Sequence, residues 1–278
     1  MRTVRKDKIR DAVADLCLQA NLFLRKDVAD KLRQAYSKET NPRAKKILEA
    51  IVKNASIAKR EKLAICQDTG LPCVFVELGQ DLKISGDLKQ AINKGVDLGY
   101  RRGFLRNSII KDPLSRSGSG YQPAIIHIDI VKGDKLKITV LPKGFGCENK
   151  TQLMMFKPTA KISEIKEFII DVVKAAGPDA CPPYVVGVGI GGTADYACFL
   201  AKKALLRRTP YAVRRTRTSK LESDLLKEIN KLNIGPMGLG GKTTALAVNI
   251  GTYPTHIAGL PVCVNISCHA LRSATTVL

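Results

Sequence analysis

Aromatic side chains make up only 5% of this 278-residue chain, and acidic residues are outnumbered by basic ones, 25 to 46. A formal charge of +21 invites a phosphate-binding reading. So few rings, however, leave little to stack on bases, and no zinc-finger or RNP-type pattern is present. A basic nucleic-acid-binding protein is therefore kept only as the alternative from another functional class. No Cys-x-x-Cys pair occurs among Cys17, Cys66, Cys73, Cys147, Cys181, Cys198, Cys263 and Cys268. That absence argues against zinc ribbons, thioredoxin-type redox sites and ferredoxin-type clusters, which need close spacing. No apolar run approaches the roughly 18 residues of a membrane span, and the charged N-terminus has no apolar core behind it. No membrane contact is expected, and the expected location is the cytoplasm. There, eight thiols read as buried side chains or metal ligands rather than disulfides.

With 45% hydrophobic and 26% charged residues, the chain has the composition of a globular protein with a sizeable core. The fold class expected is α+β (mixed α/β), a single domain with a helical N-terminal region (1–62) followed by a mixed sheet with flanking helices (63–278). Ile9, Val13, Leu16, Cys17 and Ala20 follow a 3.6-residue period, and Asn41-Pro42 reads as an N-cap with proline at the first helical position. A strand is expected at 73–78 and a helix at 87–101. Residues 124–131 and 136–141 read as a β-hairpin around Gly133-Asp134. Further on, the pattern predicts a helix over 162–176 ended by Gly177-Pro178, a buried strand over 184–190 and a helix over 194–206. The segment 207–220 is basic, Ser219 to Glu222 resembles a capping box for a helix running to Leu232, and strands are expected at 245–250 and 261–266.

Two glycine motifs suggest nucleotides and fail on inspection. Gly187-Val-Gly189-Ile-Gly191-Gly192 satisfies the dinucleotide fingerprint, but roughly 20 residues on, where a ribose-binding acid belongs, the chain reads Pro210-Tyr-Ala-Val-Arg-Arg215. Gly235-Pro-Met-Gly-Leu-Gly-Gly241-Lys242 misses the phosphate-loop spacing by one residue. Its glycines still predict a tight loop whose N–H groups could approach an anion or cluster, with Lys242 as a nearby positive charge.

Three segments surround a cysteine with glycine, proline or polar residues: Cys66-Gln-Asp-Thr-Gly70, Asp179-Ala-Cys181-Pro-Pro183, and Asn265-Ile-Ser-Cys268-His-Ala-Leu-Arg272. Thiolates from three separate loops can ligate three corners of a [4Fe-4S] cluster and leave the fourth iron open. Spacing alone favours three ordinary buried cysteines. These segments, with 187–193, 235–244 and 256–268, stand in the order seen in class I fumarate hydratases and L(+)-tartrate dehydratases. Over essentially its whole length the chain resembles the α subunit of that iron–sulfur hydro-lyase family.

The resemblance implies reversible dehydration of a small 2-hydroxy dicarboxylate, such as L-malate to fumarate in the tricarboxylic acid cycle, with L(+)-tartrate as the alternative substrate. It implies Cys66, Cys181 and Cys268 as ligands of a [4Fe-4S] cluster with one open iron site. Gln67 is implied to contact substrate and Asp68 to do acid–base work, against the plain reading of Asp68 as an Asx-turn residue. Arg106 matches an arginine that clamps a substrate carboxylate through two parallel hydrogen bonds, while Arg101 and Arg102 read as bystanders. His256 matches a site histidine. His127 alternates within a strand and reads as structural, and His269 is ambiguous. The Lys143 to Lys150 segment corresponds to a family loop of three glycines followed by serine, glutamate and asparagine. Gly144 and Gly146 keep the glycine character there, whereas Phe145 and Cys147 depart from it. The chain ends ten residues after Cys268, where single-chain members continue into a second domain. A separate β subunit in an α2β2 assembly is therefore the expected partner, and the excess positive charge is one candidate face for it.

Overall fold

The computed structural model describes residues 2–208 and 217–278. Its first elements are β1 (Arg2–Arg5), α1 (Lys6–Leu22), α2 (Lys26–Lys38), α3 (Pro42–Glu61), β2 (Leu71–Gly79), β3 (Leu82–Ser85) and α4 (Leu88–Arg102). Then follow β4 (Ile109–Asp112), β5 (Ser117–Gly120), β6 (Ile125–Val131), β7 (Leu136–Lys143), α5 (Phe145–Glu148), β8 (Gln152–Phe156) and α6 (Ile162–Ala176). The chain closes with β9 (Tyr184–Gly192), α7 (Ala194–Ala204), α8 (Arg217–Lys231), β10 (Ala245–Thr255), β11 (Leu260–Ser267) and β12 (Ala274–Val277). Helices dominate up to residue 61 and sheets mix with helices afterwards, so the α+β reading holds. Asn41 caps α3 as expected: its side-chain oxygen accepts the N–H of Arg43 at 3.0 Å, with Pro42 in the first turn. Among the described residues, no helix is long and apolar enough to cross a membrane.

Contacts divide the chain into two compact units, the first comprising Met1–Arg25, Ala55–Phe145 and Arg272–Leu278, the second Lys26–Asn54 and Gly146–Leu271. In the first, a four-stranded sheet of order β12-β7-β2-β6 packs against α1 and α4. Its core joins Ile9, Val13 and Leu16 of α1 to Ile92 and Val96 of α4 and to Val74, Val76, Ile138 and Val140 of the sheet. Each of these buried aliphatic side chains contributes about 1.5–3 kcal/mol.

The expected hairpin does not form. β2 lies between its two strands, parallel to β6 (Cys73 opposite Ile125) and antiparallel to β7 (Cys73 opposite Leu141). β2 is buried along most of its length and so takes a central place, whereas β6 is largely exposed and takes the edge. The connection 132–135 passes around the end of β2, where Gly79 N–H donates to Lys135 O at 2.9 Å and Asp81 N–H to Gly133 O at 3.0 Å.

In the second unit the strand order is β10-β9-β11-β8, with β9 parallel to β10 and β11 antiparallel to both β9 and β8. One face meets α6 and α8 through Ile165, Phe168, Ile169, Val172, Leu225 and Ile229 against Val186, Val188, Val248 and Val264. Alternate residues of β9 turn the other way, toward α7. A Cβ on Gly187 would stand 2.1 Å from Ala201 O, and one on Gly189 would stand 2.0 Å from Ala197 O. The fingerprint glycines are thus strand residues that let a helix lie against the sheet. The capping box is also corrected: α8 begins at Arg217, which puts Ser219 inside the helix. Glu222 instead accepts the N–H of Ile250 at 2.7 Å. Pro210 to Arg215 and part of the basic stretch 207–220 lie outside the described residues.

Candidate active site

In the first unit, residues 66–70 form an irregular loop between α3 and β2. Asp68 organises it. One carboxylate oxygen accepts the N–H of Gly70 at 3.0 Å, an Asx turn, and the other accepts the N–H of Phe145 at 2.8 Å. A Cβ on Gly144 would stand 3.2 Å from the Asp68 carboxylate, a tight contact that the carboxylate would have to yield to. The carboxylate thereby joins the cysteine loop to the start of the 143–150 segment, and each oxygen keeps a second lone pair. Arg272, buried, donates to the Asp68 carbonyl.

Arg106 is brought to the same loop. Its N–H donates to Thr69 Oγ1 at 3.1 Å while its side chain is exposed. The Tyr100 hydroxyl, deep in the core, donates toward the carbonyls of Thr69 at 2.9 Å and Gly70 at 3.1 Å. Burial pushes the Tyr100 hydroxyl pKa upward, so it remains a donor. Gln67, exposed, sits beside Cys66 in this loop. Arg101 is occupied elsewhere, paired with Asp97 at 2.8 Å and lying over the Tyr121 ring. His127 stacks on Phe75 with ring centroids 5.0 Å apart.

In the second unit, Cys181 occupies the left-handed backbone region at φ 55°, a conformation that costs a residue with a side chain about 1 kcal/mol or more. Its neighbours hold it there. Its N–H donates to Pro178 O at 3.1 Å, and its carbonyl accepts the N–H of His269 at 3.3 Å and lies 3.0 Å from His269 Nδ1. His269, ambiguous in the sequence, therefore ties the Cys268 loop to the Cys181 turn. Cys147 is buried and its thiol donates to Ala180 O at 3.4 Å, so it braces that turn. His256 is exposed. Its Nδ1 accepts the N–H of Ala258 at 3.2 Å, which puts the ring proton on Nε2 and leaves an outward donor. Gly146 shows no crowding, the nearest atom to an added Cβ being Asp179 O at 3.9 Å.

The glycine-rich loop 235–242 does not offer its N–H groups to an anion. Met237 donates to Pro182 O at 2.9 Å, Gly240 to Ile234 O at 2.9 Å, Gly241 to Asn233 Oδ1 at 2.8 Å and Lys242 to Glu39 Oε2 at 2.7 Å. Lys242 Nζ lies 3.3 Å from the Lys38 carbonyl. The loop's glycines instead make a closed turn that supports the Cys181 segment through Pro182.

Among the described residues, no three His, Cys, Asp or Glu side chains converge to hold a metal ion. An iron–sulfur cluster makes a different demand, because its inorganic core sits between the thiolates and holds them apart. The donor chemistry, three thiols carried on loops, suits such a cluster. Cys66, Cys181 and Cys268 lie in loops and are only partly buried, whereas Cys17, Cys73, Cys147 and Cys263 are buried and Cys198, partly buried, is fixed within α7. Burial pushes the Cys17 thiol up to about 12 and raises that of Cys263 as well, which disfavours thiolate at either position. Cys66 belongs to the first unit, and Cys181 and Cys268 belong to the second.

Several contributors carry no signal as single residues. Thr69 and Arg272 stand inside the quoted motifs, but nothing in the sequence says what they touch. Tyr100 is a periodic core position of α4. Glu148, half-buried, pairs with Lys202 at 2.5 Å and accepts from Asn265 Nδ2 at 2.9 Å, a link across more than a hundred residues.

The family model described as Fumarate hydratase (Fumerase) matches residues 10–277. A Methanocaldococcus jannaschii protein provisionally named L(+)-tartrate dehydratase subunit alpha is 41% identical over 275 residues, covering 96% of each chain. The L(+)-tartrate dehydratase subunit alpha of Escherichia coli strain K12 is 28% identical over 274 residues, 97% of this chain and 90% of that protein. With the match running through both units and all three cysteine loops, this chain belongs to the fumarate hydratase family of hydro-lyases.

Proposed function

We propose that this chain is the α subunit of a [4Fe-4S]-dependent hydro-lyase that reversibly hydrates fumarate to L-malate together with a separate β subunit. The observation that supports it most is the hydrogen-bonded junction in the first unit. The loop carrying Cys66, Gln67 and Asp68 is bonded both to the Arg106 backbone and to Phe145, so amide, carboxylate and guanidinium groups are anchored to one segment. The chemistry asks for such a set. Trans dehydration must remove a poorly acidic C–H proton and expel hydroxide from a substrate with two carboxylates.

In this reading Arg106 grips one carboxylate through two parallel N–H bonds, and Gln67 adds a neutral donor. The N–H groups of Gly144 and Gly146 are further carboxylate contacts. His256 offers its Nε2 proton to substrate, and Asp68, oriented by two backbone N–H groups, moves a proton at the reacting carbons. Cys66, Cys181 and Cys268 hold the cluster, which supplies a Lewis-acidic iron for the substrate hydroxyl when bound. The partner is a β subunit in an α2β2 assembly, and the enzyme works in the cytoplasm.

A second reading, L(+)-tartrate dehydration, is favoured by the names of the two relatives, one of them 41% identical. Both substrates are 2-hydroxy dicarboxylates and need the same arginine. Anaerobic co-expression with the partner subunit, iron and sulfide quantitation, and turnover on L-malate, fumarate and both tartrate enantiomers separates the readings. Iron with sulfide and fumarate–malate interconversion are expected. Turnover of L(+)-tartrate alone supports the second reading, and protein without iron after reconstitution overturns both.

A further inference from the structure

Thr69 lies in the same loop as Cys66, is 2% exposed, and its hydroxyl oxygen accepts the N–H of Arg106 at 3.1 Å. The backbone around this bond is fixed from two sides. On one, the Tyr100 hydroxyl donates to the Thr69 carbonyl at 2.9 Å. On the other, Leu105 is buried and gives its N–H to the Tyr100 carbonyl at 2.9 Å, which ends α4 and delivers the chain to Arg106. Phe104, between them, is 97% exposed and contributes no packing. Arg106 therefore leaves the protein from a backbone held by Leu105 behind it and by Thr69 beside it.

We propose that Thr69 is a positioning residue that sets where the Arg106 guanidinium originates, and so governs dicarboxylate affinity; this rests on the reading of Arg106 as the carboxylate clamp. A two-bond grip on a carboxylate tolerates little displacement of the arginine's base. Removing the acceptor leaves the Arg106 N–H without its protein partner, and the 103–107 segment then shifts to find water. Threonine also explains the hydroxyl at a buried loop position, because an apolar side chain of the same shape would fill the space without accepting the bond.

The test uses Thr69→Val, which keeps the shape and loses the acceptor, and Thr69→Ser, which keeps the acceptor. Both are made in the full chain co-expressed anaerobically with its partner subunit. The valine variant is expected to exchange the Arg106 amide about tenfold faster, to bind succinate about tenfold more weakly and to raise KM for the hydroxy dicarboxylate about tenfold. Its kcat stays within about twofold and its iron content is unchanged, and the serine variant restores all three values. Unchanged amide exchange and succinate affinity in the valine variant overturn the proposal. So does iron lost in step with affinity, which would make Thr69 a support of the cysteine loop. Wild-type complex that turns over no hydroxy dicarboxylate refutes the functional reading instead, while amide exchange and succinate binding still decide the role of Thr69.

Discussion

Replacing Gly189 with alanine puts a methyl group where there is a carbonyl. The added Cβ would stand 2.0 Å from Ala197 O, 2.7 Å from Ala201 N and 2.9 Å from Leu200 Cβ, whereas ordinary contact begins at 3.4 Å. The obstruction is helix backbone, so no rotamer change relieves it. α7 must retreat from β9 by about 1.4 Å, the difference between contact and overlap. That retreat opens the fully buried interface of Ala197, Ala201 and Cys263. Overpacking of this kind costs about 3 kcal/mol or more. A fall in Tm of roughly 6–12 °C is expected, followed by circular dichroism. Gly251→Ala is the control, since its nearest neighbour is Leu200 O at 3.5 Å in the same sheet, and it should cost under about 1 kcal/mol. A Gly189→Ala protein as stable as the control would refute the packing account. So would NAD binding by the parent chain that the substitution abolishes, because the glycines would then be a nucleotide turn after all.

Asp68→Asn leaves one carbonyl oxygen for two N–H groups, those of Gly70 and Phe145, and is expected to destabilise the fold by about 2 kcal/mol. A urea midpoint equal to that of the parent would show that the carboxylate does not hold these loops together. Tyr100→Phe removes the hydroxyl donated to Thr69 and Gly70 and should cost about 1 kcal/mol in thermal unfolding without lowering iron content. Serine at Cys66, Cys181 or Cys268 is expected to abolish iron retention, while Cys147→Ser keeps it because that thiol serves Ala180. Full iron content in the three single variants would discard the ligand set.

What the sequence determined by itself was local chemistry and kinship. Asn41-Pro42 opened a helix, Gly177 closed one, and the periodicity of 162–176 matched α6 to the residue, because capping and amphipathic spacing act within one or two turns. The cysteine loops were legible because their motifs stand in family order, and the family match confirms that kinship over residues 10–277. Strand order was not legible. Residues 124–131 and 136–141 looked like a hairpin by proximity, yet the buried β2 took the place between them, a choice made by how much apolar surface each strand could cover. The glycines of 187–192 satisfied a nucleotide pattern, but α7 occupies the space that Gly187 and Gly189 leave. The loop 235–242 promised N–H groups that the fold spends on Pro182, Ile234, Asn233 and Glu39. Tyr100, Arg106 and Arg272 converge on the loop of Asp68 and Thr69 from up to 204 residues away. A hydrogen bond has no memory of sequence distance, so only the tertiary structure could decide which acceptor each donor meets.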